Sequence, residues 1–462
     1  MILLTVLFGL IGLGIIVFIH ELGHFIAAKA CGIEVETFSL GWGKKMAGFT
    51  RGGTTYQVSW FPVGGYCRMK GEIMRGEFSE EEMEKMRHEK GSFLAAPPWQ
   101  RSVVAVSGPL ANMIFAVVVL TLIWWVGFNV HSAGNRIVLA SDYTLDPLDE
   151  QLPATQAGLK SGDRITAIQD QEIENFWEIS EIVKRNTGRA LLLTIERETN
   201  GYGQKRLVKL NVTPVADPET GQGRIGIYAW IDPVIGQVDR GKPADLAGLV
   251  PGDHIISVDG IGIRHDIDFY QTLMEKTETV SLTYRRGKTL HKGILNLEYD
   301  KKGDLDLGMF FSHNVYRSPR LGVLQSFVRG FQKTFQILGL TLRGLSQLVR
   351  FKIKKLDQVL AGPIRITQMV GEAATGGFSF GIGEGFVSYF QFLCLLSIVI
   401  ALMNLLPIPA LDGGLVVLSI FEAIRKKPLK LRLIWRFQIV GFLIIFLIFV
   451  TAFLSDILFF VG

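Results

Sequence analysis

The stretch "IIVFIHELGHFIAA", residues 15–28, puts two histidines and a glutamate at the end of an almost unbroken apolar run that starts at Met1. A run of this length, roughly 20 residues or more, crosses the hydrocarbon core of a bilayer when it is helical. On such a helix His20 and His24 stand one turn apart on one face. Ionisable groups inside a membrane helix are expensive and mark function. The fold class therefore follows from whether the remaining apolar runs also reach membrane length.

Composition supports that direction. The chain has 462 residues, 48% of them hydrophobic, and its mean hydropathy is +0.30. Four runs read as membrane spans, at residues 2–28, 103–128, 386–406 and 434–454. The first has no basic leader and no small-residue cleavage site before its histidines, so it reads as a retained segment rather than a signal peptide. Lys29, Lys44, Lys45, Arg51, Arg68 and Lys70 follow the first span, and Arg425, Lys426, Lys427, Lys430 and Arg432 precede the fourth. The positive-inside rule places both stretches in the cytoplasm and both termini and the long middle region outside. Residues 334–349 are apolar but short, with Arg343 in the middle. They read as an amphipathic helix at the outer interface, within a stretch of interfacial helix and linker at 315–385.

Other classes fall away. A net charge of +5, without a basic stripe interleaved with aromatics, excludes nucleic acid as a partner. Cys31, Cys67 and Cys394 form no CxxC and are odd in number, so they imply neither a disulfide framework nor a cysteine zinc site.

The middle region repeats itself. "AGLKSGDRITAI" at residues 157–168 and "AGLVPGDHIISV" at 247–258 share Ala-Gly-Leu-x-x-Gly-Asp-x-Ile. Two tandem α+β domains, at 129–220 and 221–314, account for this. Gly162 and Gly252 suit a tight turn whose amides Asp163 and Asp253 can bond. The motif resembles the PDZ domain in its bacterial periplasmic form. That resemblance implies capture of extended peptide ends by strand addition; ligand-free spacer domains are the alternative. The second copy fits the pattern better, because "SVDGIGI" supplies the turn that usually follows; the first has "AIQDQEI" there, and its upstream peptide-binding loop is hard to place. Nearer the N-terminus, "TTYQVSW" alternates between the turn signals "RGG" and "PVGG", so residues 38–69 read as a β-hairpin or small sheet beside the first span, associated with the membrane.

His-Glu-x-x-His on a helix offers two imidazoles to one Zn²⁺, with Glu21 placed as general base. A third ligand must come from another membrane segment. Glu384, Asp412, Glu422 and Asp456 are the acidic residues in apolar surroundings. Asp412 fits best: Pro407 and Pro409 break the helix before it, Gly413 and Gly414 after it permit close backbone approach to a metal, and charge counting puts it on the cytoplasmic side with His20 and His24.

"HELGH" (residues 20–24) and "NLLPIPALDGG" (404–414), with "PVGGYCRMKGE" (62–72) and "PPWQRSVVAVSGPLAN" (97–112), resemble the site-2 protease family of intramembrane zinc metalloproteases, over nearly the whole chain. The resemblance implies a polytopic α-helical membrane protein: four transmembrane helices, a membrane-associated β-hairpin or sheet and two tandem PDZ-like domains. It implies His20, His24 and Asp412 as zinc ligands, Glu21 as catalytic base and Asn404 as a contact for the substrate backbone. Asn112 matches a family position with a structural or substrate-contacting role, and Gly64 and Gly65 lie on the hairpin edge that would receive substrate as an added strand. The implied substrates are membrane segments of single-span proteins, such as a pre-trimmed anti-sigma factor, and remnant signal peptides, cleaved by regulated intramembrane proteolysis in an envelope stress response. The expected location is the inner membrane, with termini and PDZ-like domains periplasmic and the site toward the cytoplasm. Two other readings stand beside it: a membrane-anchored PDZ scaffold with an inactive metal site, and a transporter with a helix broken at Asp412.

Overall fold

The computed structural model describes residues 2–72, 80–143, 152–199, 204–218, 220–274, 276, 278–299, 303, 305–349 and 362–461. It divides into two units, Met1–Phe128 with Pro319–Gly462, and Asn129–Ser318. The first unit opens with α1 (Ile2–Ala30), β1 (Val35–Arg51), β2 (Thr54–Met69), α2 (Glu80–Met86) and α3 (Pro98–Val126). The second unit begins with β3 (Asn129–Ser132), β4 (Ile137–Leu139), α4 (Pro153–Gln156), β5 (Arg164–Ile168), β6 (Gln171–Glu172), α5 (Phe176–Arg185), β7 (Leu191–Thr199), β8 (Gln204–Val212), β9 (Val215–Ala216), β10 (Gly223–Arg224) and β11 (Ile227–Ala229). It continues with β12 (Ile235–Val238), α6 (Pro243–Leu246), β13 (His254–Val258), β14 (Ile261–Gly262), α7 (Asp266–Met274), β15 (Thr279–Arg286), β16 (Thr289–Asn296), β17 (Met309–Phe311) and β18 (Asn314–Arg317). The chain then returns to the first unit with α8 (Val323–Val349), α9 (Pro363–Phe378), α10 (Ile382–Asn404), α11 (Asp412–Arg425) and α12 (Leu431–Val461).

Among the described residues, α1, α3, α10 and α12 are long and apolar enough to cross a membrane. They cover the four runs picked out by hydropathy. The second starts earlier than its apolar run because Pro98 sits at the first turn of α3, where a missing N–H costs nothing. Residues 334–349 belong to one continuous helix, α8, which packs against α3. The stretch expected to be linker contains a further helix, α9, held between α1 and α10. Its contact with α1 is backbone-close, since a Cβ on Gly371 would lie 1.9 Å from the Thr5 carbonyl oxygen. Small residues give membrane helices this approach. The N-terminus of α9 is bonded by a carboxylate: Asp456 of α12 accepts from the N–H groups of Gly362, Ile364 and Arg365 at 2.8, 3.0 and 3.1 Å.

β1 and β2 form more than a hairpin. Residues 47–51 of β1 pair with 54–58 of β2 across the Gly52–Gly53 turn, while residues 37–40 of β1 pair both with 55–58 and with 65–68. Two bent strands thus make four rows, of which 37–40 and 55–58 run parallel and the outer pairings antiparallel, and the row Gly65–Met69 lies at the edge. Gly41, Gly43 and Gly64 take φ of +87°, +99° and +88°, values that L side chains resist, so the bends fall there. The sheet packs on α1 through Ile33, Val35, Phe38, Cys67 and Met69.

In the second unit the two four-stranded sheets have the same order, β6-β5-β7-β8 and β14-β13-β15-β16. Each packs on one helix, α5 or α7, over its own apolar core. β4 pairs with β11 and β12 pairs with β17, so each module ends on a strand that returns beside its first. The strand at 227–229 therefore belongs to the first module, and the boundary expected at residue 220 falls inside it. β3 pairs with β18, which brings the two ends of the unit together.

The repeated Gly-Asp pair is explained here. Asp163 accepts from the Lys160 N–H and from both Nε and Nη2 of Arg197. Asp253 does the same with Val250 and Arg286. Burial alone would raise the Asp253 carboxyl, but the Arg286 fork and the Val250 N–H outweigh it and hold it below the usual carboxylate range. A group lowered by folding stabilises fully above its unfolded pKa, about 3.9, and loses that contribution as pH falls through the folded value. We expect Asp253→Asn to cost about 2 kcal/mol, the worth of charge-assisted bonds, and to remove the acid-dependent part of the second module's stability below about pH 4. Hydrogen exchange at the Ile255 and Leu282 amides of the full chain, followed against pH, measures both.

Candidate metal centre

α1 carries His20 and His24 through its own helical spacing. Asp412 reaches them because α10 stops at Asn404, as two prolines in the next residues require. The connecting loop turns through Ala410, a non-glycine residue at φ +70°, and α11 starts at Asp412. Gly413 and Gly414 serve that loop rather than a metal: a Cβ on them would lie 2.2 Å from the Leu406 oxygen and 2.4 Å from the Ile408 oxygen. The close approach expected of them is made here to the loop's own carbonyls; they let the loop fold over the first turn of α11.

The three side chains converge. His20 Nε2 lies 3.2 Å from His24 Nε2 and 3.2 Å from Asp412 Oδ2, and His24 Nε2 lies 3.5 Å from Asp412 Oδ1. The ligand atoms of all three fall within 4.8 Å of one another. Zinc bonds of about 2.05 Å in a tetrahedron separate ligand atoms by about 3.3 Å, so the spacing fits that ion. Tautomers point the same way. His24 Nδ1 is 2.8 Å from the Val104 carbonyl oxygen, which can only accept, so the Nδ1–H donates and the Nε2 lone pair faces the carboxylate. Behind His20, Asn112 lies 3.4 Å from Nδ1, and its Oδ1 is buried with no partner. With the amide N and O exchanged, His20 Nδ1–H donates to the Asn112 oxygen and the Nε2 lone pair turns to Asp412, the arrangement a cation relieves.

Of the two roles expected for Asn112, structural or substrate-contacting, its full burial behind His20 fits the structural one. Asn404 lines the cavity over the site, with Nδ2 3.3 Å from His20 Nε2. That cavity, about 340 Å³, is bounded by the three ligands, Glu21 and the edge residues Gly65, Tyr66 and Cys67. Gly65 sits where a Cβ would be 3.7 Å from Glu21 Cγ, while Gly64 packs under Trp42. The other acidic candidates are engaged elsewhere: Glu422 with Arg101 at 2.8 Å, Asp456 with α9, and Glu384 in the first turn of α10, where the helix dipole favours it.

One functional residue escaped the sequence reading. A Cβ on Gly108 would lie 2.4 Å from His24 Nε2 and 2.9 Å from His20 Cε1, so α3 can carry the histidines only with glycine there. The motif "SGPLAN" contained it, but the glycine was not singled out. Val104, Gly108 and Asn112 fall on one face of α3 at helical spacing.

A metal-ligand triad with an adjacent carboxylate, set in a bundle of membrane-length helices, defines a metallopeptidase. The pattern described as peptidase family M50 matches residues 8–448, and the chain belongs to that family. A Treponema pallidum protein named "Putative zinc metalloprotease" is 36% identical over 98% of this chain and 99% of its own. The regulator of sigma E protease of Haemophilus influenzae is 30% identical over 92% and 91%, and the regulator of sigma-E protease RseP of Escherichia coli is 28% identical over 92% and 91%. Among solved structures, the PDZ domain of an SdrC-like protein from Listeria innocua aligns to 18% of this chain and 96% of its own, at 26% identity and a TM-score of 0.17.

Gly108→Ala is expected to push the imidazoles apart and weaken zinc binding on the order of 10–100-fold, the usual effect of disturbing ligand orientation, with the helices intact. Zinc content by elemental analysis after dialysis, alongside circular dichroism, reads both.

Proposed function

We propose that the protein is an intramembrane zinc endopeptidase of the site-2 type. The observation that carries this is the convergence of His20, His24, Asp412 and Glu21 on a cavity bordered by a sheet edge. Zinc held by the three ligands would supply Lewis acidity toward a peptide carbonyl and activate water at neutral pH. The chain's own residues do the rest. Glu21 takes up the proton of the attacking water at a carboxylate oxygen and can return it to the leaving amine. Asn404, beside His20, bonds the backbone of the segment being cut. A membrane helix hides its carbonyls in its own hydrogen bonds and must unwind to be cleaved, which leaves backbone groups unsatisfied in lipid. The Gly65–Met69 edge offers them partners by strand addition.

The substrates we assign are single-span membrane proteins of the anti-sigma-factor type, trimmed beforehand, and remnant signal peptides. The names of the Haemophilus influenzae and Escherichia coli relatives support a place in an envelope stress response. Charge distribution supports an inner-membrane position with the site toward the cytoplasm and the second unit in the periplasm. Glu21→Gln should keep its zinc and lose on the order of 10²–10⁴ in turnover, the range for a lost general base. On a set of single-span substrates with graded helix stability, the unmodified protein should cut faster as helix-breaking residues are added. Activity in Glu21→Gln, or equal rates across the set, would overturn the assignment.

The modules of the second unit read as PDZ-like peptide binders, but not equally. Between α5 and the segment at 223–228, which holds β10 and the start of β11, lies a groove of about 330 Å³, floored by Leu152, Ile179 and Val183 and flanked by Lys184 and Arg224. In the register that aligns Ala157 with Ala247, Ile179 and Ser180 correspond to Phe269 and Tyr270. In the second module the Phe269 and Phe311 rings are 5.3 Å apart and Tyr270 and Phe311 are 6.0 Å apart, so aromatic side chains occupy the equivalent space. We assign capture of extended peptide ends to the first module. Ser180→Tyr, which copies the second module's residue, should lower affinity for peptides selected from a C-terminal library at least about tenfold, the effect of about 1.4 kcal/mol; unchanged binding by titration on the full chain would remove the assignment.

A further inference from the structure

Arg101 and Glu422 form an ion pair at 2.8 Å, with side chains only 9% and 14% exposed. They join α3, one turn before Val104, to α11, ten residues beyond Asp412. A buried pair of this kind contributes little net stability compared with well-packed apolar residues, but removing one partner leaves an uncompensated charge. Its value is therefore in fixing one arrangement over another.

That arrangement matters because of what α3 already holds. Val104 O holds His24, Gly108 lets both imidazoles approach, Asn112 backs His20, and the Asn112 carbonyl accepts from Ser397 of α10 at 3.1 Å. Arg101 lies on the same face, one turn before Val104 and Ala105. The two histidines are thus fixed to α3 directly. Asp412 is not: it stands at the first turn of α11, on the order of 15 Å along the helix from Glu422. α11 packs against α3, and a slip of α11 along α3 by one residue would move the Asp412 carboxylate by roughly 1.5 Å, more than a metal ligand tolerates.

We propose that Arg101 is a positioning residue: its pair with Glu422 sets the register of α11 on α3 and so places Asp412 beside His20 and His24. This rests on the metal site proposed above. It makes Arg101 part of the metal-binding apparatus without contact with metal or substrate.

The test follows zinc transfer from the full chain in detergent to a chromogenic chelator, together with the visible spectrum of the cobalt-substituted protein. Arg101→Gln and Glu422→Gln should each speed zinc transfer about tenfold or more, as disturbed ligand support does, and alter the cobalt bands. The double exchange Arg101→Glu with Glu422→Arg should restore both readouts to within about threefold of the unmodified protein, since the pair reforms with its charges reversed. Asp456→Asn, which removes a buried carboxylate from a different helix contact, serves as the stability control and should lower Tm without altering the cobalt bands. The proposal is overturned if the single variants hold zinc like the unmodified protein, if the double exchange restores nothing, or if Asp456→Asn speeds zinc loss equally. Asp412→Ala separates the two readings: zinc held as tightly without Asp412 overturns the metal site itself, and this proposal with it.

Discussion

The hydrogen bond between His24 Nδ1 and the Val104 carbonyl constrains more of this structure than any other single contact. The Val104 oxygen accepts from the Ser107 hydroxyl at 2.6 Å as well as from the imidazole at 2.8 Å. The ring must then cross the gap between α1 and α3, which requires the axes to be close. Gly23 permits this from one side, where a Cβ would lie 2.3 Å from the Ser107 oxygen, and Gly108 from the other. Pro109 follows at once inside α3, so the Ala105 carbonyl loses its intrahelical donor at a residue that borders the cavity. One interhelical contact thereby fixes the tautomer of a ligand, the spacing of two helices and the polarity of the cavity wall.

The acidic residues of the membrane unit follow a common rule. Three of its buried carboxylates are matched to donors or a cation: Glu422 to Arg101, Asp456 to three amides at the start of α9, and Asp412 to the histidine pair. An unpaired charge in such surroundings is prohibitively costly. The difference lies in the partners. Asp456 and Glu422 face groups that donate hydrogen and are satisfied as they stand. Asp412 faces two imidazoles, one of them bound through its other nitrogen to the Val104 oxygen. That contrast separates the candidate ligand from the structural carboxylates, where sequence context shows only four acids in apolar runs.

What could be read from the sequence was what repeats or what is chemically rare. Apolar runs of membrane length marked the four long helices, and two histidines at i and i+4 in such a run identified the site. Asp412 followed from prolines and charge asymmetry. The strand at 227–229 escaped because it closes the first module from the far end of its sequence, beyond where the motif suggested looking. α9 escaped because glycines and threonines dilute its apolar face; its stability comes from close packing on α1 and from Asp456, both long-range. The double pairing of β1 depends on three glycines at positive φ, whose angles leave no trace in hydropathy. Asn112 and Gly108 were visible as letters, but which side of His20 an amide occupies is a property of packing.

The sheet edge connects substrate capture to the chemistry more tightly than either alone suggests. In an extended strand N–H and C=O of one residue point to the same side, and alternate residues share that side. The Met69 N–H is directed to Glu72 at 3.2 Å and the Lys70 N–H to the Glu34 carbonyl oxygen at 2.8 Å, so by alternation residues 65, 67 and 69 turn their amides away from β1. Gly65 lies on this edge next to Glu21, and a side chain there would press a Cβ to 2.7 Å from the Ser39 oxygen. Under the proposed reaction, an unwound segment pairing at Gly65 would be held within reach of the base. The strand that would receive the substrate then also borders Glu21, so binding and proton transfer would share one support.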